Sequence, residues 1–243
     1  MKILVVNDDG INSVGLKALV QKLLKYDYEI MIVAPTIEQS ASSHALTLRR
    51  GLNKIKHPDM FKGIPTYSID GSPADCVKFA YHALSFDFDL VLSGVNDGLN
   101  MGDDIMYSGT VAGASEAGFL GKKGIALSCM KNDLTGFELG FDRFWELFLK
   151  SKLFSEANVF NINFPKQIKG IKITHQGYNP FNTIFEKGDD NLYYSKGHSQ
   201  YLESNNTNSS DIKAYHEGYI SVTPLTLNRT DKSVFNKYLN QEL

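Results

Sequence analysis

The chain opens with an apolar, β-branched run, Lys2-Ile3-Leu4-Val5-Val6, that stops on Asn7-Asp8-Asp9-Gly10. A continuous apolar run of this length reads as a strand buried on both faces, as in a parallel sheet covered by helices. Leu16, Leu19, Val20, Leu23 and Leu24 follow at helical spacing, with Ser13 and Gly15 near the helix start. Glu29-Ile30-Met31-Ile32-Val33-Ala34-Pro35 then reads as a second strand, stopped by proline. Strand, helix and strand in this order make a right-handed βαβ unit. In open parallel sheets, ligands bind outside the carboxyl ends of the strands. The opening of the chain therefore places Asp8 and Asp9 at a ligand-binding edge. Two adjacent carboxylates repel and lose solvation together, and a bound cation relieves both costs. The plainer alternative is a turn in which one aspartate caps the next helix.

The alternation continues. Residues 52–64 are weakly patterned and read as an edge excursion or hairpin. Thr66 to Asp70 is a short strand, and Ser72-Pro73-Ala74-Asp75 is a helix start in which Asp75 serves only as a cap. Strands are predicted at Asp89–Asn96, Gly124–Met130 and Asn158–Pro165. Between the last two lies an amphipathic helix, Phe137 to Lys150, whose Phe141, Phe144, Trp145 and Phe148 belong to the core. The fold class is α/β with a doubly wound, mainly parallel sheet. Beyond Pro165 the pattern changes. Ile171–Thr174 is a strand, a hairpin flanks Gly188-Asp189-Asp190-Asn191, and the Asn/Ser/Thr run from Ser204 to Ser210 reads as mobile. A short helix follows at Asp211–Glu217, then a late strand at Gly218–Leu225. A hairpin standing off the main body is a common device for subunit pairing.

Two segments return to the sheet edge of Asp8 and Asp9. Thr36 to Arg50 is hydroxyl-rich and leaves the second strand directly. Ser40 is a candidate neutral oxygen ligand, and Ser43 and His44 are candidates for lining the pocket. The strand ending at Asn96 runs into Asp97-Gly98-Leu99-Asn100-Met101-Gly102-Asp103-Asp104, and Tyr107-Ser108-Gly109-Thr110 then opens a helix of small residues. Ser108, Gly109 and Thr110 would aim backbone N–H groups and two hydroxyls at one point, a ready anion site. The alternative there is an ordinary capped helix. No Walker loop or dinucleotide fingerprint is present.

Asp8, Asp9, Ser40 and Asn96 all offer oxygen, which suits one hard divalent cation, Mg2+ or Mn2+, with positions left open for water or substrate. Beside an anion-binding helix start, such a cation suggests a metal-assisted phosphomonoesterase. Asp8 and Asp9 are the catalytic candidates: they hold the metal, and one orients or deprotonates the attacking water. Ser108, Gly109 and Thr110, with Asn100, are the phosphate-binding candidates.

Other classes are disfavoured. A net charge of −2 over 243 residues gives no footprint for duplex nucleic acid. No apolar run approaches a membrane span. Cys76 and Cys129 lie singly in apolar runs and fit reduced core residues. Lys2 leads straight into a strand, so no signal peptide is expected and the compartment is read as cytoplasmic.

Several of these motifs occur together, in order, in one known family. Asn7-Asp8-Asp9-Gly10, Ala34-Pro35 with Gln39-Ser40, Gly71-Ser72-Pro73-Ala74-Asp75-Cys76, Ser93-Gly94-Val95-Asn96 with Gly98 and Asn100, and Tyr107-Ser108-Gly109-Thr110-Val111 resemble the SurE family of survival-protein 5'/3'-nucleotidases. Asn161-Ile162-Asn163-Phe164-Pro165 and Gly218 to Leu225 are similar too. The resemblance implies a divalent-metal-dependent phosphatase of nucleoside 5'- and 3'-monophosphates, acting also on short polyphosphate. Its metal ligands correspond to Asp8, Asp9, Ser40 and Asn96. It further implies a single domain over 1–243, with a Rossmann-like core (1–165) and a C-terminal extension (166–243) carrying the hairpin and a terminal helix. The assembly expected is a homodimer or homotetramer. Ala41, Ser72 and Ala117 depart from the residues usual in the family (glycine, threonine and glycine), which bears on loop shape and substrate preference. Two rival readings remain at this point. One is an aspartyl-phosphate phosphatase with Asp8 as nucleophile, although the paired acid would fall on Gly10. The other is a metal-dependent nucleotide sensor without turnover.

Overall fold

The computed structural model describes residues 1–199 and 205–239. Nine of the described strands form one sheet. Inside it lies β1 (Lys2–Val6), flanked by β2 (Glu29–Pro35) and β5 (Leu90–Asp97). Outward from β2 come β4 (Thr66–Ile69) and the edge strand β3 (Lys54–Lys56). Outward from β5 come β6 (Lys123–Cys129), β7 (Val159–Phe164), β11 (Tyr219–Leu225) and β8 (Gly170–Ile173). From β4 through β7 every pairing is parallel. β3 pairs antiparallel with β4, which makes residues 52–64 the edge excursion expected. β9 (Phe181–Lys187) and β10 (Tyr193–Ser199) form a separate antiparallel hairpin.

Alternation along each central strand feeds two cores. Ile3 and Val5 face one side with Leu16, Leu19, Phe141 and Trp145, while Leu4 and Val6 face the other with Cys76, Val77 and Ala117. The first face is covered by α1 (Val14–Leu23) and α4 (Thr135–Leu149), and the four aromatics expected in the core of α4 are buried. The second is covered by α2 (Pro73–Lys78), which runs into a π-helical turn at Phe79–Ala83, and by α3 (Gly109–Phe119). α2 opens with the expected capping box of Ser72 and Asp75. Asp75 does more than cap, since it also accepts the Thr47 N–H at 3.0 Å and so anchors the 36–50 segment. α3 owes its close seating to small residues: a Cβ on Gly124 would lie 1.9 Å from the Ala114 carbonyl oxygen.

The C-terminal extension contributes α5 (Asp211–His216) and α6 (Lys232–Tyr238). It also completes the sheet. β11 enters between β7 and β8, antiparallel to the first and parallel to the second. One expectation is corrected. The Asn/Ser/Thr run is not loose where it is described, because Asn206 and Ser210 are buried and Asn206 brackets the Tyr178 backbone through both ends of its carboxamide. Short amide side chains satisfy neighbouring backbone groups as well as water does. Ser204 of that run lies outside the described residues. No described helix is long and apolar enough to cross a membrane, and both cysteines are free and buried.

Candidate functional site

The chain winds from β1 outward to β2 and β4 on one side and to β5, β6 and β7 on the other, so the strand order reverses between β1 and β5. A crevice at such a reversal is where doubly wound sheets bind ligands. Asp8 and Asp9 leave the end of β1 there, and Asn96 stands near the end of the adjacent β5.

Local chemistry shapes the acidic turn. Asn7, fully buried, donates to the Gly10 carbonyl at 2.9 Å and to the Ser13 hydroxyl at 2.8 Å. Gly10 adopts φ +91°, a conformation that disfavours any side chain. The Gln39 N–H donates to the Asp8 carbonyl at 2.7 Å, laying the 36–40 segment over the turn. Ala41 follows at φ +53°, a left-handed conformation that costs less for glycine than for a residue with a Cβ.

Neither aspartate caps α1, because Ser13 does so by accepting the Leu16 N–H at 3.2 Å. Asp8 instead binds the first turn of α3, whose cap is Ser108. Its carboxylate accepts the Thr110 N–H at 3.1 Å and the Thr110 hydroxyl. Gly109 permits this approach, since a Cβ there would lie 3.0 Å from Asp8 Oδ2. Burial pushes the Asp8 carboxyl above its ordinary value, with the Thr110 bonds opposing. Asp9 accepts the Asp97 N–H at 3.1 Å through one oxygen. Burial, and then the neighbouring Asp8 charge, raise its pKa to about 6. Ser40 donates to Glu38. Asn96 donates to the Gly98 carbonyl at 2.8 Å, leaving its carboxamide oxygen unengaged by the described residues.

A cavity of about 360 Å3 opens over these groups, and Asp8, Asp9, Ser40, Asn96, Asn100 and Ser108 all line it. Glu38, Asp97 and Asp104 also line it, against Lys131 as the cation among the lining residues. A larger groove of about 590 Å3 between α4 and β8 is lined by apolar side chains with Arg143, Lys166 and Lys169, and by no carboxylate. The smaller cavity is the one that gathers the candidate residues.

Among the described residues no three His, Cys, Asp or Glu side chains are placed to hold a metal ion. A cation here would therefore rest on two carboxylates and neutral oxygens. The donor set fits that demand. The carboxylates are partly desolvated and form no ion pair among the described residues, Asn96 presents a carbonyl oxygen, and each Asp8 oxygen keeps a lone pair beyond its bond to Thr110.

The other candidates are distributed unevenly. Thr110 turns its amide and hydroxyl onto Asp8, and Ser108 accepts the Val111 N–H at 3.1 Å as the helix cap while still lining the cavity. Ser43 donates its N–H to the Tyr107 carbonyl at 3.0 Å. His44 is held 2.8 Å from the buried Glu116 and lines a neighbouring groove of about 420 Å3 that shares Ser108 with the cavity. It does not join Asp8 and Asp9.

Sequence reasoning missed the side chains that fix the 98–106 segment. Asp211 accepts the Gly102 N–H at 3.0 Å, and Gln176 donates to the Gly102 carbonyl at 2.9 Å, so the C-terminal extension grips one end. Asn161 and Asn163 grip the other from β7. A weak signal existed for the latter pair, since Phe160-Asn161-Ile162-Asn163-Phe164 puts two asparagines on one face of a buried strand. Ser42 was also passed over. Its hydroxyl is buried without a partner, 3.1 Å from where a Gly109 Cβ would stand.

A family model described as survival protein SurE matches residues 3–183. The chain is 37% identical to the 5'-nucleotidase SurE of Natranaerobius thermophilus, with 100% of this chain and 99% of the relative covered. It is 38% identical to the 5'-nucleotidase SurE of Synechocystis sp., over 95% and 91% of the two chains. The crystal structure of the SurE protein from Aquifex aeolicus superposes with a TM-score of 0.79 at 33% identity, covering 99% of this chain and 100% of that one.

Proposed function

Since the chain belongs to the SurE family, we propose that it is a 5'-nucleotidase, a phosphomonoesterase that hydrolyses nucleoside monophosphates with one divalent cation, Mg2+ or Mn2+. The observation that carries this reading is the Asp8–Thr110 contact, which ties a carboxylate-rich cavity to the N-terminus of α3. Asp8, Asp9, Ser40 and Asn96 would hold the cation, which supplies a Lewis acid for the phosphoryl oxygens and lowers the pKa of water. The protein's own groups do the rest. Asp8 locks the cation side of the cavity to the helix start, so the two charges that phosphate must meet are held in register. Ser108, the Gly109 N–H and Asn100 bind the equatorial oxygens with the field of the α3 terminus behind them. Asp9 engages the protein through one oxygen only, and its other oxygen orients the attacking water and takes its proton. A nucleophilic role for Asp8 would compete with the cation for the lone pair that each of its oxygens keeps beyond Thr110.

The reading extends to 3'-monophosphates and short polyphosphate. It also takes the protein as cytoplasmic and as a homodimer or homotetramer joined through the β9–β10 hairpin, whose Phe185 and Tyr193 are exposed. The test is phosphate release from 5'- and 3'-nucleoside monophosphates, with and without Mn2+ or Mg2+, in the wild type and Asp9→Asn. Metal-dependent release, lost in the variant, is the expected outcome. Release that survives chelation overturns the metal reading, and tight nucleotide binding without release would point to a sensor.

A further inference from the structure

β7 divides its side chains between two environments. Phe160, Ile162 and Phe164 enter the apolar core with α4, while Asn161 and Asn163 take the opposite face. The registers with β6 and β11 place Ser128 and Ser221 beside Asn163 on either side. All four polar residues are fully buried. A face of this kind would be cheaper to build from apolar side chains, since a buried carboxamide must find partners or lose its hydration for nothing. The Asn161 Oδ1 indeed has none among the described residues.

What the two asparagines touch is the main chain of one residue. The Asn100 N–H donates to Asn163 Oδ1 at 3.0 Å, and Asn163 Nδ2 returns a bond to the Asn100 carbonyl at 3.0 Å. Asn161 Nδ2 donates to the same carbonyl at 2.6 Å. The Asn100 side chain is then steadied by Ser128, whose hydroxyl accepts from Asn100 Nδ2 at 2.9 Å. A hydroxyl donates as readily as it accepts, so Ser128 supports either orientation of that carboxamide, including the one that turns N–H groups toward the cavity.

We propose that Asn161 and Asn163 are positioning residues for phosphate hydrolysis, clamping the Asn100 backbone so that its carboxamide meets the substrate phosphate. The inference rests on the nucleotidase reading above and assigns a role to residues that reading leaves unused.

The test measures kcat and KM for a nucleoside 5'-monophosphate with saturating Mn2+, alongside the melting temperature, in Asn163→Ala, Asn161→Ala, Asn100→Ala and the Asn100→Ala/Asn163→Ala double variant. Ser221→Ala is the control, as its equally buried hydroxyl has no partner among the described residues. A misplacement of about 1 Å costs about 100-fold, so Asn163→Ala is expected to lower kcat/KM by about that factor. Asn161→Ala, which leaves Asn163 on the Asn100 carbonyl, is expected to lose about tenfold, and it keeps the test decisive if Asn163→Ala does not fold. The double variant is expected to lose no more than Asn100→Ala alone, and Ser221→Ala to match the wild type. Folded clamp variants that keep kcat/KM within twofold of wild type, or losses that add in full in the double variant, overturn the proposal. A wild type that releases no phosphate overturns the nucleotidase reading and this inference together, which separates the two failures.

Discussion

Asp8 and Asp9 are adjacent in the chain but differ in what they can do. Asp8 is committed to Thr110 through both oxygens, whereas Asp9 keeps one oxygen for the cavity. A raised carboxyl pKa means that the folded protein holds its proton more tightly than the unfolded chain does. For Asp9 the destabilisation is fully present above about pH 6 and vanishes as the pH falls toward its ordinary value of 3.8. Asp9→Asn removes the charge and keeps an acceptor for the Asp97 N–H. In protein stripped of metal it should therefore raise the melting temperature at pH 8, with the gain disappearing near pH 4; an equal gain at both would show that Asp9 is not charged at a cost. The sequence made both aspartates legible because paired carboxylates stand at the end of a buried strand, where an open parallel sheet binds its ligands. It left the division between them illegible, since the Thr110 contact spans 102 positions of chain.

At the scale of elements, α3 matters most, because its first turn meets Asp8 and its body must lie close to the sheet. Gly124 sets that distance. Gly124→Ala would drive a methyl group against the Ala114 carbonyl and force strand and helix apart. We expect a loss of about 2–3 kcal/mol, at the upper end of overpacking costs, with a fall in turnover because the helix start moves away from Asp8. Gly51→Ala, where a Cβ meets nothing within 4 Å, should change neither. If thermal melts and phosphate release showed the two variants alike, the close seating of α3 would not matter. The elements themselves were readable from periodicity and punctuation: Ser72-Pro73 opens α2, Ser108 opens α3, and Pro35 closes β2. What periodicity could not supply was partnership. Asn161 and Asn163 look like interruptions in an apolar strand until the 98–106 segment is laid over them. The Asn/Ser/Thr run looked solvated until Asn206 met Tyr178. Such contacts join residues far apart in sequence, and local pattern at most marks a polar residue in an apolar strand without naming its partner.

The whole molecule gathers negative charge at the reversal between β1 and β5, although its net charge is only −2. A cation bound there by the native state alone should stabilise the entire fold by about 2.7 kcal/mol at a hundred times its dissociation constant. For a domain of this size that is a rise of about 5–10 °C in melting temperature. Mn2+ should produce it in the wild type and fail to do so in Asp9→Asn; an equal rise in both would place the binding elsewhere. The placing of β11 has a consequence for birth rather than for catalysis. β7 and β8 are both synthesised before the strand that separates them, so while the chain is still short β7 has only β6 beside it and β8 has no strand to pair with. Translation proceeds at about 5–20 residues per second, and the stretch from Thr174 to Gly218 must be made in between. For those seconds the nascent protein carries an open strand edge on β7. A ribosome stalled before Tyr219 would display an unfinished sheet, and a chaperone has that interval in which to shield it.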